Sequence, residues 1–477
     1  MKSGVVIGAK YNNEEKNVDY INNDDLIIDD SADNVLLMGP ARTGKSKSMV
    51  ISTAFTWKES AFFLDINNEH WYNTSAYRAN VLNNKVYRIA PFHCGYAPMA
   101  WNPLTEVRLM KKYFTSDLKE ISFAIFPDNL QIDGDISVNE LRNLFEGIMA
   151  FLLFNNKNKE KNNEIPSLGD IYDLASSNKD FSLLLQQVKD NLNIPFYYND
   201  TLSSFIESND CYKEKARMMI YKTLNVLQND DLKYNISVSS FSLVDIFNNK
   251  DKISVYYCSD LQYLYPNIEE YSFSLKLANI LVSQLCSRIL AKRKKITWDE
   301  NPDKHFLFML DSFIRIGKIY NFGTFLSSCG NLGIKTCIVC RDIDSIDKLY
   351  SPENYTVLNK SISHEKENEI LRYCPLQIYY ATNPADEDNT ALFLSNYFMD
   401  YLMDYNESNS LLYNCLPSLC IRQQDYMIFG KDLEIVHRIG QMPVFALKPA
   451  YDKIDFIADY FLKGIVPKCN VVYDYKL

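Results

Sequence analysis

Eight residues, Gly39-Pro40-Ala41-Arg42-Thr43-Gly44-Lys45-Ser46, carry the clearest chemistry in this chain. They fit GxxxxGK[ST], a loop that holds nucleotide phosphates. Its glycines let the backbone curl until successive N–H groups point at phosphate oxygens. The start of the following helix adds partial positive charge. Lys45 is placed to reach the β- and γ-phosphates, and Ser46 to ligate Mg²⁺. The flanks supply the context this motif needs. "NVLLM" before it reads as a buried strand, and "GKSKSMVISTAFTW" reads as a helix. ATP and Mg²⁺ are the expected cofactors.

Such a site also needs a carboxylate at the end of a neighbouring apolar strand. "HFLFMLD" supplies Asp311 for the Mg²⁺ shell. Its strand is expected beside "NVLLM", with Asp311 close to Ser46. Asp65, after "AFFL", is a second strand-end carboxylate. The pair Cys337 and Cys340 lies in an apolar β-like run, where residues three apart face opposite ways. These read as core cysteines. The five histidines are far apart and show no metal-ligand spacing.

The elements that position these residues alternate. After a polar segment 1–33, with one β-like run "GVVIGAKY", strands and helices follow in turn. "SAFFLDI", "EHWYNTSAYRANVL" and "KVYRIAPF" continue the strand–helix–strand rhythm, which predicts a mostly parallel α/β sheet flanked by helices. From 107 to about 250 the periodicity turns helical, as in "SVNELRNLFEGIMAFLLF". This block reads as an inserted all-α domain. The rhythm returns at "ISVYYC" and continues through "HFLFMLDSF", "IKTCIVC", "YTVLN", "LQIYYAT", "LEIVHRI" and "MPVFALK". The expected organisation is a nucleotide-binding domain in two parts, 1–106 and 251–477, around the insert 107–250. A long helix, about 270–294, ends in "KRKK". That cluster reads as helix capping, with nucleic-acid contact as the alternative.

Composition bounds the function. A net charge of −10 does not suit a protein that coats nucleic acid with its whole exterior, though it leaves room for a basic pore or loop. Scattered cysteines read as reduced thiols of a cytoplasmic protein. No apolar stretch approaches the roughly 20 residues needed to span a bilayer.

With both motifs placed, the chain resembles the type IV secretion coupling proteins, the TraG-like conjugation ATPases related to FtsK- and HerA-type translocases. The segment from "VLLMGPARTGKS" through "AFFLDINNEHW" resembles the family's phosphate-loop block, with Asp65-Ile66-Asn67-Asn68-Glu69 where Asp-x-Lys-Gly-Glu is typical. "WNPL", "FLFMLDSFIRIGKIYNFGTFLSSCGNLGIKTCIVCR", "ILRYCPLQIYYATNP" and "MPVFALKPAYDKIDF" are similar to later family segments. The resemblance implies a RecA-like P-loop NTPase fold with an inserted all-α domain that meets substrates. It implies ATP-driven recruitment of DNA or protein to a secretion channel, and hexamers. Channel components and a membrane-anchoring partner are implied too, placing the chain at the cytoplasmic face of the inner membrane.

Three positions depart from that pattern. The family's Glu after the strand-end Asp is replaced by Ser312, which cannot act as a carboxylate base. The family's trans arginine aligns with Gly330, and its motif III glutamine with Arg341. Glu69 could instead activate water, and Arg341 or Arg315 could supply the missing cation. The resemblance therefore leaves an ATP-driven motor and a nucleotide-binding, non-motor scaffold both open. A DNA-packaging or mobilisation translocase is a further alternative.

Overall fold

The computed structural model describes residues 3–10, 20–93, 99–130, 136–156, 165–190, 195–248, 250–259, 268–301, 304–350, 368–380 and 432–462. The expected strand "YTVLN" lies outside these residues.

Eleven strands form one sheet in the order β2-β1-β11-β10-β9-β3-β8-β7-β4-β6-β5. They are β1 (Val5–Ala9), β2 (Leu26–Asp29), β3 (Val35–Met38), β4 (Ser60–Asp65), β5 (Lys85–Ile89), β6 (Ile253–Cys258), β7 (Phe306–Leu310), β8 (Ile334–Cys340), β9 (Leu376–Tyr380), β10 (Leu433–Arg438) and β11 (Val444–Leu447). The seven strands from β9 to β5 are parallel. The remaining four pair antiparallel at the other side. Strand β2 went unread in the sequence because its four residues sit in a polar, Asp-rich setting.

The apolar runs are continuous because both faces of the sheet are covered. Successive residues divide between them. Leu36 and Met38 join one core with Phe62 and Leu64, and Val35 and Leu37 join the other with Ala61 and Phe63. Cys337 and Cys340 are buried free thiols on β8.

One expectation fails. Strand β7 is not beside β3, because β8 lies between them, pairing Leu37 with Val339 and Met309 with Cys337. Asp311 nevertheless follows the C-terminal end of β7 on the same edge of the sheet as the loop after β3. Ser46 reaches Asp311 across the intervening strand, with Oγ 2.6 Å from Oδ2.

Helix α1 (Ile51–Thr56) follows a widened turn at Ser46–Val50, and α2 (Glu69–Asn80) follows β4. Among the described residues, eight further α-helices, α3 (Lys111–Ile125) to α10 (Leu243–Asn248), lie between β5 and β6 in the chain. Helix α11 (Ile268–Lys292) covers the sheet and carries them. Phe114 and Leu118 of α3 and Phe145 of the helix Val138–Asn156 belong to the same buried cluster as Leu277, Leu36 and Phe62. Polar contacts reinforce the seam. Arg288 of α11 reaches Asp117 of α3 at 3.3 Å, and Arg108 pairs with Asp117 at 2.6 Å. The helical block therefore shares its core with the sheet. Arg293, just past α11, is 3.2 Å from the Phe247 carbonyl, so this part of "KRKK" is spent on the backbone.

Candidate phosphate site

Three segments end at one edge of the sheet: the loop after β3, the start of α2, and the turn after β7. Three of the five non-glycine residues with positive φ among those described lie here, Arg42 (63°), Asn68 (62°) and Ser312 (58°). Such strain clusters where a site needs it. Within the loop, Gly44 takes φ 88°, and a Cβ on Gly39 would stand 2.6 Å from the Tyr380 Cβ. Both glycines are needed, one for its backbone angle and one for close approach.

Lys45 Nζ donates to the Gly39 carbonyl at 2.5 Å and the Pro40 carbonyl at 2.7 Å. Thr43 Oγ1 also donates to Pro40 O, at 2.8 Å. The ammonium thus stands across the inner side of its own loop. Burial lowers its pKa, Asp311 opposes that, and nearby Arg341 adds to the lowering. A cation in that position gains from any anion brought into the loop.

Ser46 Oγ donates to Asp311 Oδ2 at 2.6 Å, and Ser312 N donates to Asp311 Oδ1 at 2.7 Å. A hydroxyl and a carboxylate oxygen side by side suit Mg²⁺, a hard cation that takes few protein oxygens and completes its shell with water and phosphate. Ser46 and Asp311 are the residues that would hold it.

The sequence reading missed the third partner of this pair. His70, fully buried in the first turn of α2, lies with Nε2 2.9 Å from Asp311 Oδ2 and 3.9 Å from Asp65 Oδ1. Burial works against its charged form, but Asp65 and Asp311 outweigh it and push its pKa up to about 9. The same contact, with the bonds from Ser46 and Ser312, holds the Asp311 carboxyl below its ordinary range despite burial. Burial raises Asp65, whose Oδ2 accepts from the Trp71 N–H at 2.7 Å. His70 therefore sits between two carboxyl groups, and its contact orients Asp311. The only sequence signal was a histidine in the first helical turn, five residues after a strand-end Asp.

The other candidates fall at different distances from this centre. Glu69 is exposed beside His70, at the rim of a cavity of about 780 Å³ that Arg42 and Arg315 also line. Arg341 follows β8 on the phosphate-loop edge, with Nε 3.4 Å from Asp342. Gly330 precedes β8 at the opposite edge, where an added Cβ would stand 3.3 Å from Ala32 O.

Outer contacts of this kind tune metal affinity by roughly 10- to 100-fold. His70→Leu is expected to weaken Mg²⁺ about tenfold, the low end of that range, in a Mg²⁺ titration of nucleotide binding. Binding without Mg²⁺ is expected to stay unchanged. Equal Mg²⁺ dependence in both proteins would remove His70 from the site.

A family model described as type IV secretory system conjugative DNA transfer matches residues 2–397. The conjugal transfer protein TraG of Escherichia coli is 24% identical over 363 residues, covering 74% of this chain and 53% of that protein. VirD4 of Rhizobium radiobacter is 22% identical over 452 residues, covering 90% and 58%. The chain spans about half the length of the curated relatives it matches. Among solved structures, the plasmid coupling protein TrwB in complex with ADP and Mg²⁺ aligns with a TM-score of 0.58 at 10% identity, covering 94% of this chain and 96% of that one. TrwBdeltaN70 in complex with sulphate gives 0.57 at 11% identity, covering 94% of each. At such identity the likeness is one of fold, a RecA-like P-loop sheet flanked by helices. Among the described residues no helix is long and apolar enough to cross a membrane.

Proposed function

The chain belongs to the type IV secretory conjugative DNA transfer family, and on that footing we propose that it binds ATP with Mg²⁺ and recruits DNA or protein substrates to a secretion channel. The carrying observation is the 2.6 Å contact of Ser46 with Asp311 beside Lys45. Segments 1–106 and 251–477 form the nucleotide-binding part in this reading. Residues 107–250 meet substrates or adaptors. TraG is named a conjugal transfer protein, and TrwB is a relative in fold that was solved with ADP and Mg²⁺. Channel components, a membrane-anchoring partner and a hexameric ring are the assembly this function calls for.

The test in cells compares the wild-type chain, Asp311→Asn, and a deletion, scoring transfer of DNA or secreted protein by the system that encodes the chain. Loss in both altered strains supports the proposal. Unchanged transfer in the deletion strain sinks it.

A second reading, a non-motor scaffold that binds nucleotide without working hydrolysis, is favoured by one residue. Ser312 occupies the place beside Asp311 where a proton acceptor would stand.

The net charge of −10 favours protein over DNA as the ligand of the helical block. Cutting out 107–250 would strip α3 and α10 from α11, the helix that covers the sheet, since the core is shared. The intact chain is therefore the proper reagent. Its binding to a labelled DNA duplex, followed by fluorescence anisotropy, is expected to be weak at 150 mM salt, a chosen near-physiological condition of about that strength. Tight binding that collapses steeply as salt rises would reverse the assignment.

A further inference from the structure

We infer that Arg315, together with Arg42, is a contact for the terminal phosphate of a nucleoside triphosphate, supplied by the same chain that holds the phosphate loop. This rests on the phosphate-site reading above and goes beyond it in assigning the cation that distinguishes triphosphate from diphosphate.

The cavity of about 780 Å³ is lined by Arg42, Asn67, Glu69, Tyr72, Asn73 and Arg315. Each wall leads back to the Ser46–Asp311 pair. Arg42 belongs to the phosphate loop, three residues before Lys45. Glu69 precedes His70, which lies 2.9 Å from Asp311. Arg315 N donates to Ser312 O at 2.9 Å, in the short helical turn Phe313–Ile316 that follows Asp311. The cavity therefore adjoins the phosphate loop, the start of α2 and the turn after β7.

The charges in it are unbalanced. Two guanidinium groups face one carboxylate, Glu69. Among the described residues neither arginine takes part in an ion pair, whereas Arg341 has Asp342 at 3.4 Å. Arg315 is also held in place, its guanidinium 5.4 Å from the Tyr271 ring centroid. Stacking of a planar guanidinium leaves its edge donors free for a phosphate oxygen. Both residues are exposed, so an arriving anion meets them without a buried rearrangement. The positive φ of Arg42, 63°, fixes its direction within the loop.

The experiment measures affinity for ADP and for a β,γ-imido ATP analogue, both with Mg²⁺, by calorimetry. Wild-type protein is expected to prefer the triphosphate analogue by about tenfold, the worth of one charge-assisted phosphate contact. Arg315→Ala should cut that preference to about twofold or less with ADP affinity preserved, and Arg42→Ala/Arg315→Ala should lower it further. Arg315→Lys keeps charge but loses the planar fork, and should fall between. Preserved ADP binding by the Arg315 variants, and a wild-type circular-dichroism spectrum for the double variant, show that each is folded. If wild type binds ADP yet shows no triphosphate preference, or if the double variant keeps it, the arginine assignment is overturned. If wild type binds neither nucleotide, the phosphate-site reading itself has failed.

Discussion

Saturated with ATP and Mg²⁺, the wild-type protein is expected to turn over well below the roughly 1 to 10³ s⁻¹ of ordinary enzymes. The attacking water needs a proton acceptor, and general base catalysis contributes about 10² to 10⁴ in rate. Ser312 offers only a hydroxyl beside Asp311. His70 does not fill the gap, because its ring is buried and its Nε2 is engaged with Asp311 at 2.9 Å. Asp65 is buried behind it and tied to the Trp71 N–H. An arginine from the neighbouring subunit adds roughly 10³ to 10⁵ in comparable enzymes, and the family resemblance aligns Gly330 with that position. Ser312→Glu alone is expected to raise the rate by less than about tenfold, because catalytic residues acting as a unit are not additive. A phosphate-release assay decides. Ordinary turnover by the wild type would sink the scaffold reading, and Glu69 and Arg341 would then be the first residues to replace.

Lys45→Ala is expected to lower ATP affinity by at least about tenfold. A charge-assisted contact is worth roughly 1.5 to 3 kcal/mol, and about 1.4 kcal/mol is one decade. The geometry sharpens the expectation. Lys45 already has two loop carbonyls, at 2.5 and 2.7 Å, so its bond to phosphate replaces a good partner and the low end of the range applies. Folding should change little, since the side chain is only partly buried and its partners are carbonyls of the same loop. Calorimetric titration reads the loss directly. Equal affinity for wild type and variant would remove the phosphate-loop role, whatever the fold.

The amino-acid sequence by itself determined the features that are local. A phosphate loop is one uninterrupted run from a strand, through two glycines, into a helix, so Gly39 to Ser46 could be read without any neighbour. The strand-end position of Asp311 and the parallel character of the sheet were legible for the same reason, in apolar runs alternating with amphipathic ones. Tertiary structure alone decided what those pieces meet. The central strands are buried on both faces, so nothing in their pattern says which strand is next to which. The insertion of β8 between β3 and β7 was therefore invisible, and so was β2 at the polar edge. His70 reached Asp311 across 241 residues of sequence. Its role depends on two strand ends lying on one edge, and no spacing rule records that. The helical block shows the same limit. Its periodicity gave the helices, but only packing revealed that Phe114 and Phe145 complete the core begun by Leu36 and Phe62. Burial is a property of facing surfaces, and a sequence lists each surface without its partner.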